Sequence, residues 1–211
     1  MSFLAFEGLD GSGKSSLMVA LEKELQKRGV SFYRTREPGG TLLGDEIRNM
    51  ILRKEGPAPT ARTELLLYEA SRSQHVDQVI RPKLQAGEWI LCDRFAASSI
   101  AFQSGGREIS ENEVVMLNNF ATGGLMPDLT ILLDLSVEES RKRRQGRGAQ
   151  NGETEDRIES EADSFHEKVR QSFLRQAQAQ PQSWLVLDAK ETPETLFTQL
   201  LAALLERKIL K

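Results

Sequence analysis

Short apolar runs recur along the chain and alternate with longer amphipathic segments. The runs of strand length are Phe3–Glu7, Ser31–Arg36, Trp89–Asp93, Leu129–Asp134 and Trp184–Asp188. Apolar residues dominate these runs instead of alternating with polar ones, as expected for parallel strands that are covered on both faces. The succession of such strands and helical patterns predicts an α/β fold with a five-stranded, mostly parallel sheet flanked by helices.

Several helices are marked by apolar spacing and by residues that favour helix starts. The first predicted helix has an apolar face made of Leu17, Ala20, Leu21 and Leu25. Ser110 with Glu113, and Ser136 with Glu139, have the spacing of capping boxes. Thr192-Pro193 places a capping residue before a proline at the first helical position. The last helix then has an apolar face comprising Leu196, Leu200, Leu201, Leu204 and Leu205.

The segment Arg144–Glu155 interrupts these patterns. Its sequence, RQGRGAQNGETE, is polar and rich in glycine, and it lacks large apolar residues. Such a composition predicts a mobile loop. Because a dense basic run leads into it, we expect a mobile lid over approximately residues 141–157, within a single domain that covers residues 1–211.

The composition limits the kind of protein. Of 211 residues, 39% are hydrophobic and 28% are charged, as is usual for a globular domain. The net charge of −3 disfavours nucleic acid and anionic membranes as partners, since both favour a basic surface. Cys92 is the single cysteine, which excludes an internal disulfide and suits a reducing compartment. With no signal-peptide pattern and no apolar run long enough for a bilayer, we expect a cytoplasmic protein.

A glycine-rich segment between the first strand and the first helix, Gly8–Ser15, has the pattern G-x-x-x-x-G-K-[ST]. This position is the context that confirms a phosphate-binding loop. Glycines let backbone N–H groups surround phosphate oxygens, Lys14 reaches the β- and γ-phosphates, and Ser15 ligates Mg²⁺. The sequence therefore predicts a P-loop three-layer fold that binds Mg·ATP through Gly8, Leu9, Asp10, Gly11, Ser12, Gly13, Lys14, Ser15 and Ser16.

The end of the third predicted strand narrows the class of P-loop protein. A GTPase would need a guanine-reading N-K-x-D segment, which this sequence does not contain. A motor-type ATPase would usually end a later strand in an acidic pair, whereas this strand ends in Cys92-Asp93-Arg94. An aspartate there can hold the metal through water, and the next arginine can bind a second phosphate. This pattern favours a kinase that acts on a small, nucleotide-like acceptor.

Motifs over nearly the whole chain resemble those of bacterial thymidylate kinases. They are EGLDGSGKSS at Glu7–Ser16, TREPGGT at Thr35–Thr41, EIRNMIL at Glu46–Leu52, YEASR at Tyr68–Arg72, DRFAASSIAFQ at Asp93–Gln103, PDLTILLDL at Pro127–Leu135 and DRIE at Asp156–Glu159. The order and spacing of these motifs, taken together, make the resemblance to this family specific. The resemblance implies ATP as the donor, dTMP as the acceptor, Mg²⁺ held by Ser15 and Asp93, and a homodimer formed through helices near Thr63–Leu84.

The resemblance also implies roles in the acceptor site. Asp10 matches a carboxylate near the 3′-hydroxyl of the acceptor, and Arg48 and Arg94 match arginines that hold its phosphate. Arg72 matches a donor to a pyrimidine carbonyl, and Gln103 matches an amide that reads the pyrimidine edge. Tyr68 stands where the family usually has a phenylalanine that stacks on the base, and Phe102 stands where it usually has a tyrosine that packs against the sugar. The other residues expected in the pocket are Ser99, Glu37 and Pro38.

The expected acceptor needs no general base. A phosphate monoester is largely a dianion at neutral pH and is already a nucleophile. The lack of a convincing catalytic histidine agrees with this, and we expect His75 and His166 to be surface or packing residues.

Positive charge must instead stabilise the transferring group. Lys14 and Arg94 supply part of it, and arginines of the lid should supply more. In one branch of the family an arginine follows the acidic residue of the P-loop, where this chain has Gly11. The sequence is therefore similar to the other branch, and we expect Arg143 and Arg147 to be catalytic.

Two alternatives remain open from the sequence. A kinase of the same fold for another acceptor would keep the P-loop and Asp93 but not the pair Arg72 and Gln103. A nucleotide-dependent switch would bind ATP without acceptor-dependent release of ADP. Some activity on dUMP is expected, since burying one methyl group contributes only about 0.8 kcal/mol. Cytosine should be excluded more sharply, because its unmatched polar groups would be buried.

Overall fold

The computed structural model describes residues 1–151 and 155–210, with side chains for residues 1–146 and 155–210. In this part of the chain, five strands form one sheet: β1 (Phe3–Glu7), β2 (Phe32–Arg36), β3 (Trp89–Asp93), β4 (Leu129–Asp134) and β5 (Trp184–Asp188). Their order is β2-β3-β1-β4-β5, and all neighbouring strands are parallel. The predicted sheet is confirmed, and only the start of β2 differs, by one residue.

Helices lie between the strands along the chain. They are α1 (Lys14–Lys27), α2 (Leu42–Leu52), α3 (Ala61–His75), α4 (Arg81–Gln85), α5 (Ala96–Ser99), α6 (Glu111–Thr122), α7 (Val137–Asn151), α8 (Asp163–Ala179) and α9 (Pro193–Glu206). A π-helical segment, Val76–Ile80, joins α3 to α4, and a second one, Ile100–Gly106, continues α5. None of the helices described has the length and apolar character needed to cross a bilayer.

Helices cover both faces of the sheet. Alternate residues of a strand point to opposite faces, so apolar residues on both sides of the sheet need to be covered. In β1, Leu4 and Phe6 lie in an apolar core with residues of α1 and α9. Phe3 and Ala5 lie in a second core with residues of the segment Val76–Ile80. A further apolar cluster joins α8 to the second π-helical segment and includes Phe102, Phe165, Val169 and Phe173. This arrangement is the three-layer fold that the sequence predicts.

The predicted helix starts differ in how they are capped. Thr192 caps α9, where its hydroxyl accepts a hydrogen bond from the backbone N–H three residues later at 3.2 Å. Ser136 accepts from the backbone N–H of Glu139 at 3.4 Å, but the Glu139 carboxylate binds Arg143 and does not complete the box. The predicted capping box at Ser110 is wrong. Although α6 begins directly after Ser110, the backbone N–H of Glu113 donates to the carbonyl oxygen of Ser110 and not to its hydroxyl.

The loop prediction for Arg144–Glu155 is wrong as far as Asn151, because α7 continues to that residue. A glycine inside a helix costs only about 1 kcal/mol relative to alanine, and the neighbouring arginine, lysine and glutamine residues favour helix. Glu138 and Glu139 in the first turn also stabilise the helix through its dipole. Residues 152–154 lie outside the described part of the chain, and the mobility of the lid stays a prediction.

Candidate active site

The P-loop turns between β1 and α1, with glycines at its tightest points. Gly8, Gly11 and Gly13 have φ angles of 129°, 78° and 98°, in a region that strains other residues. A Cβ atom at Gly8 would lie 2.4 Å from the carbonyl oxygen of Leu133, so only glycine fits there. The loop ends at Lys14, the first residue of α1, where free N–H groups and the helix dipole favour anions. The predicted phosphate-binding segment thus has the backbone shape of an anion site.

Lys14 is buried against this loop. Its Nζ donates hydrogen bonds to the carbonyl oxygens of Gly8 at 3.1 Å and Leu9 at 3.2 Å. Burial lowers the pKa of Lys14, and the positive charge of Arg94 lowers it further, while carboxylates, above all Asp93, oppose the shift. A polyphosphate in the loop would stabilise the charged form of Lys14 in the same way as those carboxylates.

A cleft of about 810 Å³, called the P-loop cleft below, is lined by the P-loop and the end of β3. Ser15 and Asp93, the predicted metal ligands, both line it. Oδ1 of Asp93 is buried and has no hydrogen-bond partner among the described residues. Since buried polar atoms are normally paired, this oxygen fits a divalent cation or its bound water. The described residues hold no group of three His, Cys, Asp or Glu side chains suited to a metal, and Mg²⁺ usually needs only one or two carboxylates beside substrate phosphates.

Arg94 follows β3 and lies over the P-loop. Its φ angle of 69° is uncommon for a residue other than glycine. Its Nη2 donates to Oδ1 of Asp10 at 2.8 Å, and its guanidinium carbon lies 5.1 Å from the centre of the Phe102 ring. Burial alone would lower the pKa of Arg94, but the charges of Asp10 and Asp93 raise it. Burial alone would raise the pKa of Asp10, but Arg94 and Lys14 hold it well below its usual value. Both side chains therefore stay charged.

A second cleft of about 530 Å³, called the acceptor cleft below, contains nearly all the predicted acceptor residues. Except for Ser99, they line its walls: Asp10, Glu37, Pro38, Arg48, Tyr68, Arg72, Arg94, Phe102 and Gln103. Asp10, Glu37, Arg48 and Arg94 also line the P-loop cleft, so the two clefts meet. Molecules bound in the two clefts would therefore approach each other beside Arg48 and Arg94.

Arg72 is 1% exposed, and each of its three guanidinium nitrogens donates at least one hydrogen bond. Its Nε donates to Oε2 of Glu37 at 2.8 Å, and its Nη2 donates to the carbonyl oxygen of Phe95 at 3.2 Å. Its Nη1 lies 2.7–2.8 Å from side-chain oxygens of Glu69, Ser99 and Asn118. Ser99 therefore contacts Arg72 from behind and does not line the cleft. The second hydrogen of Nη2 has no acceptor among the described residues and can be donated to a ligand.

Glu37 lines both clefts, but its two carboxylate oxygens are already used. Oε2 accepts from Arg72, and Oε1 accepts from Nδ1 of His75 at 3.0 Å. Nε2 of His75 is hydrogen-bonded to the hydroxyl of Thr35, at 2.7 Å. Glu37 is thus suited to orient Arg72 more than to bind a ligand. His75 is fully buried in this network and His166 is 4% exposed, so both are interior residues.

Gln103 is held by a residue that the sequence did not single out, Glu64 of α3. Nε2 of Gln103 donates to Oε1 of Glu64 at 3.0 Å. The same carboxylate accepts from Arg107, twice at 3.1 Å, and from Arg157 at 2.6 Å. Glu64 and Gln103 are 39 positions apart, and no local pattern relates them.

Comparisons with known proteins agree with this geometry. The family model described as thymidylate kinase matches residues 6–200. The chain belongs to the thymidylate kinase family.

Curated relatives named thymidylate kinase resemble the chain over almost its whole length. The protein from Bdellovibrio bacteriovorus is 78% identical over 210 residues, which cover 100% of this chain and 98% of the relative. The one from Trichormus variabilis is 44% identical over 195 residues, covering 92% and 90%. The one from Pelobacter propionicus is 40% identical over 209 residues, covering 98% and 95%. The predicted membership of the thymidylate kinase family is therefore confirmed.

One of the two arginines assigned to the lid of this thymidylate kinase family member contacts the P-loop. Nη1 of Arg143 lies 3.4 Å from the carbonyl oxygen of Gly11, and Nη2 donates to the carbonyl oxygen of Ala189 at 3.0 Å. Its Nε donates to Glu139 at 3.2 Å. The side chain of Arg147 lies outside the described residues.

The sequence missed some residues of the acceptor cleft. Its walls also include Leu52, Ser98, Asp156 and Ile158. All four belong to motifs that carry the resemblance to thymidylate kinases, EIRNMIL, DRFAASS and DRIE. The signal was therefore present, but apolar residues such as Leu52 and Ile158 have no chemistry that distinguishes a cleft wall from a core position.

Proposed function

We propose that this chain transfers the γ-phosphoryl group of ATP to dTMP and forms dTDP and ADP. The observation that carries the proposal is the meeting of the P-loop cleft with the acceptor cleft at Asp10, Arg48 and Arg94. A phosphate held in each cleft would lie near these two arginines, as an in-line transfer requires. The family membership supports thymidylate as the acceptor.

In the proposed reaction, an oxygen of the acceptor phosphate bonds to the γ-phosphorus while the bond to the β-phosphate oxygen breaks. Arg48 and Arg94 hold the acceptor phosphate, because both line the acceptor cleft and carry planar guanidinium groups suited to phosphate. Asp10 keeps Arg94 in place through its 2.8 Å bond and lies near the 3′-hydroxyl. No side chain has to remove a proton, since the acceptor phosphate is already largely ionised at neutral pH.

The donor is held by the P-loop. Backbone N–H groups of Gly8–Ser15, with Leu9 and Ser12 among them, surround its phosphates, and Lys14 and Ser16 lie at the start of α1. We assign the divalent metal as Mg²⁺, held by the hydroxyl of Ser15 and by Asp93. When bound, Mg²⁺ would neutralise charge on the donor phosphates.

The pyrimidine is read at the far end of the acceptor cleft. Tyr68 stacks on the base, and burial, which raises the pKa of its hydroxyl well above the usual value, keeps that hydroxyl neutral. The free Nη2 hydrogen of Arg72 binds a pyrimidine carbonyl, and the amide of Gln103 binds the adjacent edge. Phe102 lies against the sugar, supported by its contact with Arg94. Glu37 and Ser99 act by holding Arg72, and Pro38 lines the cleft beside them.

Lid arginines complete the positive site in this proposal. Arg143 starts from a position in contact with the P-loop, which supports a role beside the donor phosphates. Arg147, one helical turn further along α7, is assigned the same role from the resemblance. We further propose that residues 1–211 act as one cytoplasmic domain whose lid, approximately residues 141–157, moves over bound ATP.

A second copy of the chain is the proposed partner. Leu66 of α3 lies in the predicted interface range Thr63–Leu84 and is 56% exposed. On α6, which packs against α3, Met116 and Phe120 are 62% and 85% exposed. Apolar side chains exposed on neighbouring helices are typical of protein interfaces.

A coupled assay with Mg²⁺, ATP and a panel of dTMP, dUMP, dCMP and AMP tests the function. We expect ADP release that depends on dTMP, with dTDP as the second product. Lys14→Met should abolish transfer, because it removes the charge next to the P-loop. Lys23→Met, at an exposed position of the same helix, is the matched control and should retain the parent activity.

Two outcomes of this assay would contradict the proposal. If protein that binds ATP forms no dTDP, the chain is not a thymidylate kinase. If ADP is released equally well without an acceptor, the chain is a nucleotide-dependent switch.

A further inference from the structure

A buried carboxylate lies directly behind the amide of Gln103. Glu64 has no exposed surface and does not itself line the acceptor cleft. Its Oε1 accepts from Nε2 of Gln103 at 3.0 Å and from Nε of Arg107 at 3.1 Å. Its Oε2 accepts from Nη2 of Arg107 at 3.1 Å and from Nη2 of Arg157 at 2.6 Å. Both oxygens are therefore surrounded by donors.

These donors keep Glu64 ionised. Burial alone would raise the pKa of Glu64, but hydrogen bonds from Arg107 and Gln103, with the charge of Arg107, outweigh burial and lower it. An ionised carboxylate only accepts hydrogen bonds and never donates them. The group that faces it from Gln103 must then be the N–H₂ end of the amide.

The consequence for Gln103 is a single amide orientation. If the amide turned by 180°, its carbonyl oxygen would face a carboxylate oxygen at about the same 3.0 Å, and two buried acceptors in contact are unfavourable. Oε1 of Gln103 has no donor partner among the described residues, and Gln103 lines the acceptor cleft. The acceptor end of the amide is therefore the one left for a ligand.

We infer that Glu64 is a positioning residue that selects the base of the acceptor by fixing the amide orientation of Gln103. This inference rests on the proposed function. Thymine and uracil carry an N–H at N3, which the free Oε1 can accept. Cytosine carries a lone pair at N3, which Oε1 repels, whereas a turned amide would offer it an N–H. Glu64 thereby excludes cytosine without touching the base.

The test compares dUMP with dCMP, which differ at the base edge and share the absence of the methyl group. Glu64→Gln replaces a group that only accepts by one that can accept or donate, so both amide orientations of Gln103 become possible. We expect the ratio of kcat/KM for dUMP to that for dCMP to fall by about tenfold or more, the effect of one buried hydrogen bond. An unchanged ratio overturns the inference, even if both rates fall, because a purely structural role lowers them together.

Two controls separate this effect from a general loosening of the cluster. Glu161→Gln removes another carboxylate from Arg107, which it binds at 2.7 Å, but Glu161 does not contact Gln103. This variant should keep the parent ratio within about twofold. In a Gln103→Ala background, adding Glu64→Gln should not change the ratio further. A further change there would mean that Glu64 acts by another route and would overturn the inference.

Glu64→Asp covers the case in which Glu64→Gln does not fold. The aspartate keeps the charge for Arg107 and Arg157 but withdraws the carboxylate from the amide of Gln103, so the ratio should again fall. If folded Glu64→Asp keeps the parent's ratio of kcat/KM for dUMP to that for dCMP, the inference is overturned. If the parent protein phosphorylates dTMP and dUMP while the variants keep its ratio, only the inference fails. If the parent phosphorylates neither, the proposed function fails and the inference fails with it.

Discussion

Buried carboxylates near the two clefts have opposite electrostatic environments. Glu64 is held by two arginines, which lower its pKa against the effect of burial. Among the described residues, the donors to Glu7, at the end of β1, are the backbone N–H of Phe95 at 2.9 Å and the hydroxyl of Ser98 at 2.6 Å. Burial therefore dominates at Glu7 and raises its pKa to about 7, although the charges of Arg94 and Lys14 oppose the shift. The same side chain serves as a permanent acceptor in one place and as a titrating group in the other.

The raised pKa of Glu7 predicts a pH dependence of stability. Between pH 4.5, the ordinary pKa of a glutamate, and about pH 7, the folded protein binds more protons at Glu7 than the unfolded chain does. The free energy of unfolding should therefore fall as the pH rises through this window, by on the order of 3 kcal/mol in total. Glu7→Gln should lose this component, because glutamine does not titrate. Urea unfolding at pH 5 and pH 8 measures it, and equal pH slopes in parent and variant would refute it.

At the scale of elements, α7 begins beside the P-loop and continues into the proposed lid, approximately residues 141–157. Arg143 and Arg141 lie on the same helix but make different contacts. Arg143 reaches the carbonyl oxygens of Gly11 and Ala189, whereas Arg141 pairs with Asp163 at 2.6 Å on the surface. If the proposed lid and donor site are correct, this helix would bring its arginines close to the donor phosphates.

The different contacts of Arg143 and Arg141 predict different kinetic effects when arginines of α7 are replaced. Arg143→Ala and Arg147→Ala should each lower kcat by about 10³-fold, the lower end of the effect of an arginine that stabilises a transferring phosphoryl group. The KM for dTMP should change little, because neither arginine lines the acceptor cleft in the proposal. Arg141→Ala is the matched control and should keep the parent kcat. Steady-state kinetics decide the matter, and a parent kcat in either of the first two variants removes that arginine from the mechanism.

At the scale of the whole molecule, the site lies where neighbouring strands end. The P-loop follows β1, Asp93 and Arg94 lie at the end of β3, and these two strands are adjacent and parallel in the sheet. The carboxyl ends of parallel strands share one edge of the sheet, which is where open α/β folds bind ligands. The exposed apolar side chains Leu66, Met116 and Phe120 lie on α3 and α6, helices whose buried sides support Arg72 through Glu69 and Asn118. A dimer through α3 and α6 would therefore lie directly behind Arg72, which we propose to bind the base of the acceptor.

The proposed homodimer can be tested at Leu66, an exposed large apolar residue within the predicted range. Leu66→Glu should convert the dimer to a monomer, because a charge would be buried in an apolar interface. Val19→Glu, at an exposed apolar position of α1 with 38% exposure, is the control and should leave the dimer intact. Size-exclusion chromatography with light scattering measures both masses. A monomeric parent, or a dimer that survives Leu66→Glu, would contradict the proposal.

Features that depend on residues close together in the chain could be predicted from their local pattern. The strands, the P-loop with its glycines at positive φ, and the cap at Thr192 follow from backbone geometry and local hydrogen bonds. Their patterns were sufficient for the fold, and the joint order of the motifs was sufficient for the family. The helical extension of α7 to Asn151 escaped this reasoning, since two glycines in a polar run cost too little to end a helix that is otherwise favourable.

The contacts between side chains that are far apart in the chain depend on the three-dimensional packing. Glu64 faces Gln103 across 39 positions, and Glu37 joins Arg72 to His75 across 35 and 38 positions. A buried polar group must find a partner, but its chemistry does not specify which one. The partner depends on how helices pack on the sheet. This packing places Glu37 and Ser99 against Arg72 and Glu64 against Gln103.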